Sequence, residues 1–368
     1  MLVLGTRPEA IKMAPLIHGL SANNQFDLRV CSTAQHREML DQILGVLEIE
    51  PDYDLNAMKA GNDLGSLTAT LFSKLSCILE AFKPDLVLVH GDTTTSFVAA
   101  MSAYYKIVPV GHVEAGLRTN NIYSPWPEEV NRKIIATIAK YHFAPTEMAK
   151  QNLISEGVDG NTISVTGNTI VDTLFWVLEK IERDANLKAE LAQTFSRFDT
   201  QMPIILVTGH RRENFGEGFE QICSALKRIA IAHPSCQIVY PVHLNPKVRE
   251  PVHRLLKCID NIHIVESLDY ISFVYLMSVA SFIITDSGGI QEEAPSIGKP
   301  VLLMRENTER PEAVSAGTVI LTGTRAGDIF DAAERLLLDR NLYLKMSKSY
   351  NPYGDGKASA RIIDILSD

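Results

Sequence analysis

Short apolar, β-branched runs alternate with longer helical stretches along the whole chain, and that alternation limits the fold more than any other feature. In the first half the runs include MLVL (1–4), LRVCS (28–32), DLVLVH (85–90), VPVGHV (108–113), YHFA (141–144) and ISVT (163–166). The second half has IILVT (204–208), QIVYPV (237–242), IHIV (262–265), FIIT (282–285), PVLLM (300–304) and TVILT (318–322). A strand with one wet face alternates polar and apolar residues. Strands that are apolar almost throughout need cover on both faces, so helices must flank a parallel sheet. Twelve such strands are too many for one ordinary doubly wound sheet, and 368 residues exceed the ~250–300 at which a single core stops growing. The expected fold is therefore α/β: two Rossmann-like domains facing a cleft. The first covers 1–168 and the second 169–351, with a C-terminal helix in 352–368 packing back on the first. The polar, helical stretch LEKIERDANLKAELAQTFSRFD (178–199) suits a bridge between them.

Composition removes several function classes. The formal charge is −9 and no block of Lys or Arg forms a stripe, so nucleic acid is not an expected partner. An acidic chain that binds an anion must concentrate its cations locally, which makes the position of each Arg informative. The five cysteines (Cys31, Cys77, Cys223, Cys236, Cys258) are scattered, with no CxxC pair, and read as reduced thiols. No apolar stretch approaches the ~20 residues of a membrane span, and MLVLGTRPEAIK lacks the zones of a signal peptide. The expectation is a soluble cytoplasmic protein with no membrane partner.

Ligands of open parallel sheets bind beyond the carboxyl ends of strands. The unusual polar strings of this sequence fall there: GTRPE, TAQH, HGDTTT, HVEAG, TGNT, TGHRRENFG, PVHLNP, TDSGG and MRENTERPE. In TDSGGIQEE, Ser287 is placed to cap a helix, and Gly288 and Gly289 let a ligand approach free backbone N–H groups, a pattern suited to phosphate. An ordinary Ser cap with turn glycines is the plainer alternative. Glu292 or Glu293, farther into the helix, can accept hydrogen bonds from two ribose hydroxyls, so a nucleoside diphosphate satisfies both halves of the motif.

GTRPEAIK repeats the design at the first strand, with Gly5 at the turn, Pro8 early in the helix, and Arg7 and Lys12 as cations. Arg305 and Arg310 follow another strand; one can fork onto phosphate, or both can pair with neighbouring glutamates. In GHRRENFG, His210 can donate a proton or hydrogen bond near neutral pH. Asp92, Glu114, Glu128 and Glu129 are candidates for general acid and base, or for ion pairs with Arg118 and Arg132. DYD (52–54) imitates a metal-binding DxD but follows a proline and reads as a turn. No His, Cys or carboxylate spacing indicates a metal site, and no Walker loop exists.

Taken together, GTRPEAIKMAPL, TAQHREMLDQ, VHGDTTT, GHVEAGLR, SPWPEEVNR, TGNT, TGHRREN, YPVHLNP, TDSGGIQEEAPSIGKP, TERPEA and NPYGDG resemble the bacterial non-hydrolysing UDP-N-acetylglucosamine 2-epimerases, in order and from end to end. The family usually opens with two or three more strand residues before GTRPE. The resemblance implies a glycosyltransferase-B-like pair of domains, a homodimer, and interconversion of UDP-GlcNAc and UDP-ManNAc for surface polysaccharide. It implies elimination of UDP to 2-acetamidoglucal and re-addition, with no metal, NAD or other cofactor. Carried over by position, Asp92, Glu114 and Glu128 match catalytic carboxylates, and Lys12 and His210 match residues near the sugar and diphosphate. Arg7, Ser287, Gly288, Gly289 and Arg310 match diphosphate contacts, and Glu293 the ribose clamp. Gln35, Arg211 and His243 match a second, activating UDP-GlcNAc site, although Glu38 departs from a glutamine of some members. A hydrolysing 2-epimerase and a glycosyltransferase of the same architecture are the competing readings.

Overall fold

The computed structural model describes residues 1–34, 37–57 and 63–367. The chain forms two compact units, Met1–Thr173 with Tyr353–Asp368, and Leu174–Pro352. In unit 1 the order is β1 (Leu2–Leu4), α1 (Arg7–Ala22), β2 (Val30–Ser32), α2 (Arg37–Val46), β3 (Tyr53–Asp54), α3 (Leu64–Phe82), β4 (Val87–His90) and α4 (Thr94–Tyr105). It continues with β5 (Val110–Val113), α5 (Glu128–Ile138), β6 (Tyr141–Ala144), α6 (Glu147–Ser155), β7 (Ile163–Val165) and α7 (Thr169–Arg183). The crossing between units lies inside α7, so the polar stretch 178–199 belongs with unit 2.

Unit 2 holds α8 (Ala185–Thr194), β8 (Ile204–Thr208), α9 (Glu217–Ala232), β9 (Gln237–Pro241), α10 (Pro246–Leu256), β10 (Ile262–Val265) and α11 (Tyr270–Val279). Then come β11 (Phe282–Thr285), α12 (Ile290–Ser296), β12 (Val301–Leu303), α13 (Pro311–Ser315), β13 (Val319–Leu321), α14 (Ala326–Leu338) and α15 (Arg340–Ser347). The last helix, α16 (Ala358–Ser367), returns to unit 1.

Each unit has one parallel sheet, in the order β3-β2-β1-β4-β5-β6-β7 and β10-β9-β8-β11-β12-β13. The register pairs Leu88 with Leu2 and Gly111, and Ile283 with Leu206 and Val301. The central strands are buried along their whole length, as continuous apolar runs require. In both sheets the strand order reverses once, between β1 and β4 and between β8 and β11. A doubly wound sheet opens its ligand crevice at such a switch point, beyond the strands' carboxyl ends.

One reading of the sequence is corrected. DYD is not simply a turn: Tyr53 and Asp54 form the edge strand β3, paired with Cys31 and Ser32. Asp52 starts it by accepting a 2.8 Å bond from the Val30 N–H. At the other end of the chain, α16 packs on α1, where the absent side chain of Gly19 makes room: a Cβ there would lie 2.4 Å from Ile363 Cδ1. Asp172 caps α16, accepting from the Ser359 N–H at 2.7 Å and the Ala358 N–H at 3.2 Å. No described helix is long and apolar enough to cross a membrane.

Candidate active site

In unit 1 the β1 and β4 turns meet at the switch point. Gly5 ends β1 where nothing larger fits, since a Cβ would lie 2.1 Å from Thr33 Oγ1 and 2.3 Å from Thr95 Oγ1. Thr6 then caps α1 in a capping box with Glu9, and Arg7 opens the helix, half-buried. Farther along α1, the buried Lys12 ammonium pairs with Glu114 Oε2. Asn168 Nδ2 donates to the same oxygen at 2.6 Å. Glu114 leaves β5 with φ at +62°, a left-handed backbone that costs a non-glycine residue on the order of 1 kcal/mol. Its Oε1 reaches within 3.6 Å of where Gly91 would carry a Cβ, so the carboxylate lies against the HGD turn.

His90 stands beside this pair. Its Nε2 lies 3.8 Å from Glu114 Oε2, is buried, and makes no hydrogen bond among the described residues. Burial pushes its pKa down to about 4; Glu114 opposes that fall and Lys12 adds to it. The ring is therefore neutral at physiological pH. His112, fully buried, donates from Nε2 to Gly91 O at 2.7 Å and holds the turn that carries Asp92.

Asp92 is clamped from α5. Arg132 Nε donates to Asp92 Oδ2 at 2.7 Å, Arg132 Nη1 to Glu129 Oε2 at 3.1 Å, and Asn131 Nδ2 to the Asp92 carbonyl at 2.8 Å. Glu129 is fully buried and also accepts the backbone N–H groups of Thr119 (3.1 Å) and Asn120 (3.0 Å). Adjacent Glu128 is different: its Oε2 is buried and, among the described residues, accepts no hydrogen bond. The two glutamates of SPWPEEVNR thus divide into a fastener and a carboxylate with a lone pair to spare. Arg118, the other cation suspected of pairing with these acids, binds Glu156 instead, at 2.7–3.1 Å.

In unit 2, Asp286 is fully buried at the end of β11. It accepts the backbone N–H groups of His210 (3.0 Å) and Arg211 (2.9 Å) and the side-chain amide of Asn214 (3.1 Å). The GHRREN loop is thereby fixed over the switch point. The His210 ring is half-exposed and stacks on His243, with centroids 5.6 Å apart and planes 19° apart. Partial burial lowers its pKa; Asp286 opposes the fall, while His243 and Arg211 add to it.

Ser287 does not cap the helix. Its N–H donates to Thr285 Oγ1 at 2.9 Å, and α12 starts only after Gly289, which occupies the cap position without a side-chain bond. Among the described residues the Gly288 and Gly289 N–H groups meet no protein acceptor. Gly288 clears space for the buried Arg310 guanidinium: a Cβ would lie 2.7 Å from Nη1. Arg310 Nε donates to the fully buried Glu292 and Nη1 to Glu309 at 3.2 Å. Thr308 Oγ1 donates to Gln291 at 2.8 Å, a second tie between this loop and α12. Glu293 takes the Tyr270 hydroxyl on Oε1 at 2.6 Å and turns Oε2 towards Gly289. Arg305 pairs with Glu213 at 2.8 Å.

With this geometry in hand, comparison with known proteins is decisive. Residues 18–367 match the family described as UDP-N-acetylglucosamine 2-epimerase. The chain is 58% identical to the Yersinia pestis UDP-N-acetylglucosamine 2-epimerase over 366 residues, covering 100% of this chain and 97% of that protein. The Escherichia coli K12 enzyme of the same name is 55% identical over the same coverage. The chain belongs to the UDP-N-acetylglucosamine 2-epimerase family. Among solved structures, the Neisseria meningitidis UDP-GlcNAc 2-epimerase bound to UDP-GlcNAc aligns with a TM-score of 0.93 and 50% identity, covering 99% of this chain and 98% of that one.

Within this family member the residues singled out in the sequence gather at the two switch points. Lys12, Asp92, Glu114 and Glu128 lie at the ends of β1, β4 and β5 or on the helices that follow. His210, Ser287, Gly288, Gly289, Glu293 and Arg310 lie around β8, β11 and β12. Arg211 and His243 flank His210; Gln35 and the Glu38 side chain fall outside the described residues. The sequence reading passed over His90, Asn168, Asn214 and Tyr270. Three of these lie within the quoted strings HGD, TGNT and RREN, where a polar residue at a buried strand end was the available signal; Tyr270 gave none. Among the described residues no group of three or more His, Cys, Asp or Glu is placed to hold a metal ion.

Proposed function

We propose that the protein interconverts UDP-GlcNAc and UDP-ManNAc without net hydrolysis. The observation that carries this reading is the placement of Asp92, Glu114 and Glu128 beyond the carboxyl ends of β4 and β5, with Lys12 paired to Glu114 and a neutral His90 beside them. The proton at C2 of the sugar is not next to a carbonyl and is weakly acidic. Removing it becomes feasible when the C1–O bond breaks in the same process and UDP leaves with the electron pair, giving 2-acetamidoglucal. In the return step a UDP oxygen adds to C1, and a proton enters C2 from the opposite face. Two carboxylates, one per face, satisfy this chemistry.

Unit 2 has groups suited to the nucleotide. Arg310 beside the Gly288 and Gly289 amides suits a diphosphate, and half-exposed His210 can donate to it. Glu293, oriented by Tyr270, suits the two ribose hydroxyls. Arg211 and His243 form the described part of a second, activating UDP-GlcNAc site. The active form is a homodimer; the exposed Tyr104, Tyr105 (stacked on Phe72) and Ile107 at the end of α4 support pairing through this face. The reaction runs in the cytoplasm, in keeping with five free cysteines, and supplies ManNAc units for surface polysaccharide.

The test is incubation with UDP-GlcNAc alone in D₂O. The expected product is UDP-ManNAc carrying deuterium at C2. Free ManNAc rising in step with UDP would instead identify a hydrolysing enzyme, and turnover only with an added acceptor would identify a glycosyltransferase.

A further inference from the structure

The capping box at the start of α1 uses only half of Glu9. Oε2 accepts the Gly5 N–H (3.0 Å), the Thr6 N–H (2.8 Å) and the Thr6 hydroxyl (2.8 Å), as a residue at the third helical position can. Oε1 points the other way. It accepts the Thr93 hydroxyl at 2.6 Å and lies 2.9 Å from the Ser96 hydroxyl, more than eighty residues along the chain. Ser96 Oγ is in turn 2.5 Å from the His90 carbonyl. Glu9 is 1% exposed. Burial raises its pKa, and the surrounding hydroxyl and amide donors pull it back.

These contacts lie at the unit 1 switch point. One carboxylate joins the N-terminus of α1, which carries Lys12, to the N-terminus of α4 and the turn that carries Asp92. A local cap has no use for the second connection, because Thr93 already caps α4 by accepting the Ser96 N–H at 3.0 Å. We infer that Glu9 is a positioning residue for the epimerisation, holding Lys12 and Asp92 in fixed register across β1 and β4 through the Thr93 and Ser96 hydroxyls. It touches no substrate. Its influence falls on the chemical step: the candidate diphosphate contacts Ser287, Gly288, Gly289 and Arg310 lie in unit 2, Arg7 in unit 1 keeps the Thr6 cap at 3.4 Å whatever the Glu9 carboxylate does, and a displacement of about 1 Å at a reacting group is costly.

This inference rests on the proposed epimerase reaction, and three variants test it. Glu9→Gln keeps the shape but puts an N–H₂ against donors; Glu9→Asp keeps the charge but shortens the reach. Ser96→Ala removes one cross-connection and leaves both helix caps intact. The expected result for Glu9→Gln is kcat lowered about 10- to 100-fold, with KM for UDP-GlcNAc and calorimetric Kd for UDP within about twofold of the parent. Ser96→Ala is expected to fold with a Tm close to the parent's and to lose kcat about 3- to 10-fold in the same pattern. Glu9→Asp should recover part of the kcat lost in Glu9→Gln. If Glu9→Gln fails to fold, Ser96→Ala decides alone. Unchanged kcat in the folded variants, or kcat and UDP affinity falling together, overturns the positioning role while the parent still epimerises. A parent that makes no UDP-ManNAc overturns the reaction reading, and this role with it.

Discussion

The two adjacent glycines of DSGG make different demands, and substituting each by alanine separates them. A Cβ at Gly288 would lie 2.7 Å from Arg310 Nη1 and 3.1 Å from Cζ, whereas one at Gly289 would meet Glu293 Oε2 at an ordinary 3.5 Å. Neither glycine has a left-handed backbone, so the difference is steric. To regain a contact near 3.4 Å the guanidinium must retreat by about 0.7 Å. It has little freedom to do so, being 7% exposed and held by Glu292 and Glu309. Overpacking of this kind costs about 1–3 kcal/mol, and for a domain of ~150–250 residues each kcal/mol lowers Tm by about 2–4 °C. Gly288→Ala should therefore melt about 2–12 °C lower without ligand, while Gly289→Ala melts near the parent. If Arg310 contacts the diphosphate, weakening that charge-assisted bond by about 1.5–3 kcal/mol raises the Kd for UDP about 10- to 150-fold in Gly288→Ala. Scanning calorimetry and titration calorimetry read the two effects separately. Equal ligand-free Tm values for the two variants would refute the steric argument, and an unchanged UDP Kd in a destabilised Gly288→Ala would remove Arg310 from the nucleotide site.

Two further outcomes are expected. Asp92→Asn keeps the shape of the side chain but gives Arg132 a neutral partner; kcat should fall about 100-fold or more while UDP affinity stays within about twofold, and a near-normal kcat would exclude this carboxylate from the proton transfers. His90 and His112 are held neutral by burial, with pKa values near 4 and 3. The unfolded chain takes up their protons near pH 6.5 and the folded one does not. Stability is therefore present above about pH 6.5 and is lost as pH falls towards 4, by up to about 1.4 kcal/mol per pH unit for each histidine. Glu9 and Asp172, whose pKa values are raised by burial, act in the opposite sense. Urea unfolding of His90→Asn between pH 7 and 4.5 should show the shallower slope; identical slopes would contradict the neutral, buried assignment.

The sequence discloses the fold far better than the wiring of the site. YHFA, IILVT, IHIV and FIIT coincide with β6, β8, β10 and β11 because each is a short, mostly apolar run, interrupted at most by one histidine, and closed by a change in polarity. In DLVLVH the pairing begins only at Val87, since nothing local distinguishes the first residues of a run from the linker before it. Tyr53–Asp54 escapes altogether: two residues carry no period, and the strand exists only because Cys31 and Ser32 lie alongside. The acids could be named from their place at strand ends, but not their partners. Arg118 and Arg132 look equivalent in sequence, yet one reaches Glu156 and the other Asp92 and Glu129. Ser287 fits the pattern of a helix cap, and fails as one because the backbone spends two more residues before α12 begins.

Hydrogen-bond saturation sorts the carboxylates more finely than sequence position can. A carboxylate whose lone pairs are all occupied cannot accept a proton from a substrate without giving up a bond, and leaving a buried donor unmet costs about 1–3 kcal/mol. Glu9, Glu129 and Asp286 are occupied in this way by loop amides, hydroxyls or Arg132. Glu128 keeps a buried Oε2 that meets no donor among the described residues. The same division answers a difficulty of charge. A protein of formal charge −9 that receives a diphosphate would repel it if the acids in GTRPE and DSGGIQEE faced the ligand. Three of them face inward instead: Glu9 joins the starts of α1 and α4, Asp286 holds two loop amides, and Glu292 anchors Arg310, while Glu293 is the one proposed for the ribose hydroxyls, which are uncharged donors. Each buried acid thus stiffens a loop that presents donors outward, and the strings richest in carboxylate become the parts of the chain best suited to an anion.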